Sequence, residues 1–186
     1  MKSGVRALGI AESFRDNQST LCGAVTTTVG VVDGFAFCSC QVGGHNATSA
    51  MIDLWENAGR PDIRFVFLNG VALAWYNIVD MQELADRVPV PVLALTFEES
   101  SGLEAAISEH FSGEERQKRL DRYRALPARR RMRVNGETIF VRACNAEDID
   151  VEDVVARFTP AGARPEPIRV ARLAARAADR WQRGVC

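Results

Sequence analysis

The sequence predicts an α/β protein, a mixed sheet flanked by helices, in a single domain. Three observations carry that expectation. Residues 5–42 hold three strand-like segments in succession, residues 63–97 alternate strand and helix patterns, and the second half is dominated by helical periodicity. At 186 residues the chain can bury a core without staples, so residues 1–186 are read as one unit with a helical C-terminal part.

In chain order, the apolar run at 5–10 predicts a first strand, followed by a polar loop at 13–19. Residues 20–33 are dense in Val and Thr and read as a long strand, with Gly23 and Gly30 marking bulges or close backbone approach. Asp33-Gly34 signals a hairpin into a third strand at 35–42. Asn46 is placed to cap a helix at 47–58, which Gly59-Arg60-Pro61 ends. The aromatic and branched run at 63–69 predicts a buried central strand, and Leu73, Tyr76, Ile78 and Leu84 follow at helical spacing. Pro89 and Pro91 bracket the way into another buried strand at 92–97. Helices are expected at 103–111, 114–126, 146–158 and 168–183, with a basic loop at 127–133 and a short strand at 138–143. Three strands and then alternation matches the ribonuclease-H-like arrangement most closely.

Composition excludes more than it selects. Hydrophobic content of 47% and charged content of 25% are those of an ordinary globular protein, and the net charge of −1 names no partner. No apolar run approaches the roughly 20 residues of a membrane span, and no signal-peptide pattern opens the chain. The five cysteines are odd in number and scattered, so a cytoplasmic protein with reduced thiols is expected. Cys38, Cys40 and Cys22 invite a zinc reading. Cys-x-Cys lacks the spacing of a structural site, and buried free thiols are the simpler reading; Cys144 and Cys186 have no evident partners.

Chemistry is expected where strands end, because ligands of open α/β sheets gather there. Glu12 after the first strand, Asn46 at the first helix and Asn69 at the end of the central strand hold those places. A divalent ion wants charged oxygen ligands, and these positions offer one glutamate. The last helix aligns Arg169, Arg172, Arg176, Arg180 and Arg183 at spacings of three and four, with Leu173, Ala174, Ala178 and Trp181 as its apolar side. The stripe reads either as a phosphate-tracking surface, with Arg130 of the basic loop, or as a solvated face or one paired with the acidic helix at 146–158. Trp75 and Tyr76 read either as base-stacking groups or as core.

Several segments together resemble the mostly archaeal endonuclease-dU-like family, related to endonuclease V. They are residues 6–12, 42–48, 68–70 and 76–80, Val90-Pro91-Val92-Leu93, and Arg164-Pro-Glu-Pro-Ile-Arg-Val-Ala171. The resemblance spans nearly the whole chain. It implies a ribonuclease-H-like fold, cleavage of DNA near deaminated bases, and Mg²⁺ or Mn²⁺ as cofactor in active relatives. Family members carry Gly-Ile-Asp-Asp, Asp-Gly-x-Asp-Ala-Thr and Leu-Asp-Gly. This chain has Ala11-Glu12, Asn46 and Asn69 at those carboxylates, and keeps Asp80. The expected remnant site is therefore Glu12, Asn46, Asn69 and Asp80, with Glu12 and Asn69 nearest to a metal. DNA, deaminated or single-stranded, is the implied partner. The rival expectation is a non-catalytic nucleic-acid- or partner-binding protein, and a third is a hydrolase using Glu12, Asp80 and Glu166.

Overall fold

The computed structural model describes residues 4–184. Strands β1 (Arg6–Arg15), β2 (Gln18–Thr27) and β3 (Val32–Gln41) form an antiparallel meander. Helix α1 (Ala47–Ala58) carries the chain to β4 (Ile63–Asn69), which pairs parallel with β1. A two-stranded hairpin, β5 (Ala72–Leu73) and β6 (Asn77–Ile78), precedes α2 (Met81–Arg87) and β7 (Val92–Thr96). Then come α3 (Glu104–His110), α4 (Gly113–Arg124), the hairpin of β8 (Arg130–Val134) and β9 (Glu137–Cys144), α5 (Val151–Arg157) and α6 (Glu166–Gln182). The main sheet runs β3-β2-β1-β4-β7-β9-β8, with β4 and β7 parallel to β1 and the outer strands antiparallel. This is the mixed, ribonuclease-H-like sheet that the element order predicts.

Strand alternation sorts the core into two layers. Leu8 and Ile10 of β1, with Val66 and Leu68 of β4, face α1 and α2, whose Met51, Leu54, Met81 and Leu84 close that side. Ala7, Phe65, Phe67, Leu93 and Leu95 face the other way, toward Val154, Phe158 and Ile168. Phe158 meets Phe65 and Phe67 edge-on, with centroids 6.1 and 5.3 Å away. Helix α6 lies against β1 and β2 because the facing residues are small. A Cβ on Gly9 would sit 2.1 Å from the Pro167 carbonyl carbon, and Ala11, Ala24 and Ala171 form the contact beyond it.

The local differences from expectation have physical causes. Residues after Gly70 form the β5–β6 hairpin, and the helix begins only at Met81; the helical spacing of Leu73, Tyr76 and Ile78 coincides with buried positions of a tight hairpin. The turn between β2 and β3 lies at 28–31, and Asp33-Gly34 stands inside β3. There Asp33 pairs with Arg6 and Arg60, which accounts for an aspartate in a strand. Most of the predicted basic loop is the edge strand β8, whose arginines guard an exposed edge. Strand β1 extends into the expected polar loop as far as Arg15, and β2 begins at Gln18, which leaves a tight turn at 16–17. The buried stripe of α6 is Ile168, Ala171, Ala175 and Asp179, while Leu173 and Trp181 are exposed. Cys22 pairs with Phe37 and Cys38 with Leu21, so Cys22 lies on the sheet face opposite Cys38 and Cys40. Burial pushes the Cys22 and Cys38 thiols up to about 12 and Cys40 up to about 11, the condition of inert interior cysteines. Cys186 lies outside the described residues.

Candidate functional site at the strand ends

The carboxyl ends of β1 and β4 are neighbours, but the sheet pleat separates their polar residues. Ile10 pairs with Leu68, and both face α1. The next residues, Ala11 and Asn69, therefore turn to the α6 face, and Glu12 turns back to the α1 face. The structure does not bring Glu12 and Asn69 to one point.

Glu12 is a latch. Its Oε2 accepts from the Ser19 hydroxyl at 2.6 Å and its Oε1 from the Ala74 amide at 2.8 Å. Burial raises its pKa from the ordinary glutamate value, and these two hydrogen bonds offset part of that rise. The Ala74 carbonyl in turn accepts from the Gly43 amide at 2.7 Å. The hairpin tip is thereby held in an unfavourable shape: Ala74, Trp75 and Tyr76 have φ of 32°, 60° and 60°. Trp75 is 51% exposed and packs on His110 at 5.0 Å, while Tyr76 meets Phe111 edge-on at 5.8 Å. Trp75 and Tyr76 thus lie on a strained, clamped tip where a helix start was expected.

The start of α1 is built differently from expectation. Asn46 makes no side-chain cap; the first helical amide, that of Ala47, donates to Asn77 Oδ1 at 3.0 Å. Asn77 is fully buried, and its amide nitrogen donates to the Gln41 carbonyl at 2.9 Å and Asn46 Oδ1 at 3.1 Å. Asn46 Oδ1 also accepts from the Gln41 amide. Asp80 caps α2, accepting from the Gln82 and Glu83 amides at 3.1 and 3.0 Å, and its own amide donates to Thr48 Oγ1. Sequence reasoning passed over Asn77, because nothing local distinguishes a buried asparagine that caps a helix 30 residues away. Arg119 was missed too. It is buried, stacks 3.9 Å over Phe111, donates to the Gly43 carbonyl and pairs with Glu115 at 2.5 Å. His45 Nε2 lies 2.8 Å from Glu115, and with Arg119 it holds that carboxyl down at about 2.

Asn69 stands on the open part of the strand ends. It lines a cavity of about 360 Å³ together with Thr96, Phe97, Arg129, Arg142 and Arg164. Of the final stripe, Arg169 pairs with Glu166 at 2.5 Å, and Arg183 pairs with Asp16 and Asp179. Arg172, Arg176 and Arg180 form no hydrogen bond or ion pair among the described residues. None of the five is paired with the acidic α5, where Arg157 pairs with Asp153 instead. Arg130 is exposed on β8 beside a second cavity lined by Glu147, Asp150 and Glu152, apart from α6. Glu166, Asp80 and Glu12 do not converge, and among the described residues no group of three His, Cys, Asp or Glu could hold a metal ion.

The sheet order and the strand-end crevice define a ribonuclease-H-like fold. Residues 3–179 match the Endonuclease dU family, and the chain belongs to it. A UPF0215 protein of Pyrobaculum calidifontis is 32% identical over 171 residues, covering 90% of this chain and 93% of that one. The crystal structure of a protein of unknown function from Archaeoglobus fulgidus aligns with a TM-score of 0.81 at 26% identity, over 93% of this chain and 97% of that one. Endonuclease V of Ciona intestinalis, solved with a 24mer DNA containing an inosine followed by a ribo-adenosine, aligns with a TM-score of 0.58 at 13% identity, over 95% and 86%. That last likeness is one of fold. No helix among the described residues is long and apolar enough to cross a membrane.

Proposed function

We propose that the protein binds DNA, single-stranded or carrying deaminated bases, on a nuclease scaffold whose metal-dependent cleavage is weak or absent. One observation carries the reading: Glu12, Asn46 and Asp80 are engaged by the protein itself, while Arg172, Arg176 and Arg180 of α6 are not. Both Glu12 oxygens accept hydrogen bonds, Asn46 and Asp80 serve loop and helix termini, and Asn69 turns to the face away from Glu12. Mg²⁺ or Mn²⁺ requires converging charged oxygens, so these residues do not fit such an ion. Arg172, Arg176 and Arg180, free of carboxylate partners among the described residues, supply the phosphate-facing surface, and the half-exposed Trp75 is the candidate for stacking on a base. The relative solved with DNA supports this partner class. The unpaired thiols of Cys22, Cys38, Cys40 and Cys144 suit a reducing, cytoplasmic compartment.

The test combines nicking and binding on deoxyuridine- and inosine-containing oligonucleotides with Mg²⁺ or Mn²⁺. The expected result is salt-sensitive binding with no nicking above background at stoichiometric protein. Metal-dependent nicking that Glu12→Gln abolishes would overturn the reading.

A further inference from the structure

The cavity over the carboxyl ends of β4 and β7 carries an excess of positive charge that the protein leaves unanswered. Its lining includes three arginines and a single carboxylate residue, Glu98. Each guanidinium lies over an aromatic ring: Arg129 at 3.8 Å from the Phe140 centroid, Arg164 at 4.3 Å from Phe97 and Arg142 at 5.5 Å from Tyr123. Such stacking fixes the cations in place without neutralising them. Among the described residues, none of the three is in an ion pair.

The three differ in how far their donors are used. Arg129 is a wall, donating to Thr96 Oγ1 and to the carbonyls of Glu98 and Ser100, so it holds the loop after β7. Arg142 donates to the Pro127 carbonyl and, at 3.5 Å, to the Tyr123 hydroxyl. Arg164 donates to nothing among the described residues, and its Nε is buried without a partner. Burial lowers its pKa, and the nearby Arg172 and Arg176 lower it further. An orphaned, partly desolvated guanidinium beside two other cations is unfavourable in the empty protein, and an anion would relieve it.

We propose that this cavity binds the phosphate group of a nucleotide, with Arg164 as the principal phosphate ligand and Arg142 beside it. This deepens the nucleic-acid reading above by naming the group the strand-end crevice receives. The volume is that of a small-ligand pocket, and Phe97, Leu103 and Phe140 offer apolar surface for a sugar and base next to the phosphate. Asn69 has a consistent role here, because its amide can donate to a phosphate oxygen where an aspartate would repel it. The Arg172 and Arg176 side chains continue the positive field from the cavity mouth onto α6.

The experiment is calorimetric and thermal-shift titration of the full chain with inorganic phosphate, a nucleoside 5′-monophosphate, the matching nucleoside, and an oligonucleotide with or without a 5′-phosphate. The expected result is that the monophosphate or the 5′-phosphorylated oligonucleotide binds at least about tenfold tighter than its unphosphorylated counterpart, and that Arg164→Gln removes about tenfold of that preference. Preference for the mononucleotide points to a free ligand, and preference for the phosphorylated strand to a nucleic-acid end. Both support the site. Because Arg164 has no hydrogen-bond or ion-pair partner among the described residues, and only its contact with the Phe97 ring is lost, Arg164→Gln should leave the melting temperature without ligand nearly unchanged, which an arginine needed for structure would not do. Equal binding of phosphorylated and unphosphorylated compounds overturns the proposal, as does an unchanged phosphate preference in Arg164→Gln. If those fail while salt-sensitive DNA binding persists and depends on Arg172 and Arg176, only the cavity assignment falls and the DNA-binding reading stands.

Discussion

One end of the sheet has two unlike halves. On the α1 side, Glu12, Asn46, Asn77 and Asp80 are polar residues whose hydrogen bonds close on the protein itself. On the β7–α6 side, Arg164, Arg172 and Arg176 are charged residues with no hydrogen-bond or ion-pair partner among the described residues. The first half lies at the strand ends but has the energetics of a core. The second lacks a motif and has the energetics of a binding surface. A polar cluster is a site when its hydrogen-bonding capacity is unspent, and position in the fold does not decide that.

The contrast makes opposite demands on the two halves: substitutions in the closed half should cost stability and leave binding alone, and those in the open half should do the reverse. Outside both halves, in the scaffold that seats α6 on β1, the largest stability loss is expected for Gly9→Ala, because the added methyl would have to displace the Pro167 backbone and lift α6 from β1. We expect about 3 kcal/mol by denaturant unfolding. Asn77→Ala comes next at about 2–3 kcal/mol, since it leaves the Ala47 amide and the Gln41 carbonyl without their buried partner. A loss below about 0.5 kcal/mol would mean that water replaces Asn77 and that this half is more open than described. Asp80→Ala removes one helix cap and should cost about 1 kcal/mol without changing DNA affinity.

The smallest effect belongs to Glu12→Gln, and its pH dependence is more telling than its size. The folded pKa of Glu12 is raised by burial, so between the unfolded and folded values the native state holds more protons. Stability contributed by this group is therefore present at low pH and lost as pH rises through the folded pKa. Glutamine can still accept from Ala74 and meet the Ser19 hydroxyl, so the variant should be near neutral in stability at pH 7 and flatten that decline. A Glu12→Gln protein with an unchanged pH profile would show that the carboxylate is better solvated than its position implies.

How much of this was legible in the sequence follows the range of the interactions. The sheet, the α1 helix and strands β4 and β7 were readable, because strand-length apolar runs and turn residues are local signals. The hairpin after Gly70 was not. Leu73, Tyr76 and Ile78 repeat at helical spacing by coincidence, and Gly70, at φ +90°, begins a turn where a helix was expected. The carboxylate losses at positions 11, 46 and 69 were visible only through family resemblance. That Glu12 faces away from Asn69 needed strand register, which a sequence does not state. The arginine stripe was legible at helical spacing, but its buried side was not: alanines at 171 and 175 pack on β1 and β2, leaving Leu173 and Trp181 outside. Arg164 sits in a proline- and glycine-rich connection, and only the fold shows that its guanidinium reaches the crevice over Phe97 with no hydrogen-bond partner among the described residues.

The most direct test is the salt dependence of DNA affinity, measured by fluorescence anisotropy for the wild type and for Arg172→Glu with Arg176→Glu. Two lost phosphate contacts should flatten the slope of log K against log salt by about 1.4 on a single strand or about 1.8 on a duplex. The expected result is that flattening, with weaker binding and an unchanged melting temperature. A double variant with the wild-type slope and affinity would contradict the account.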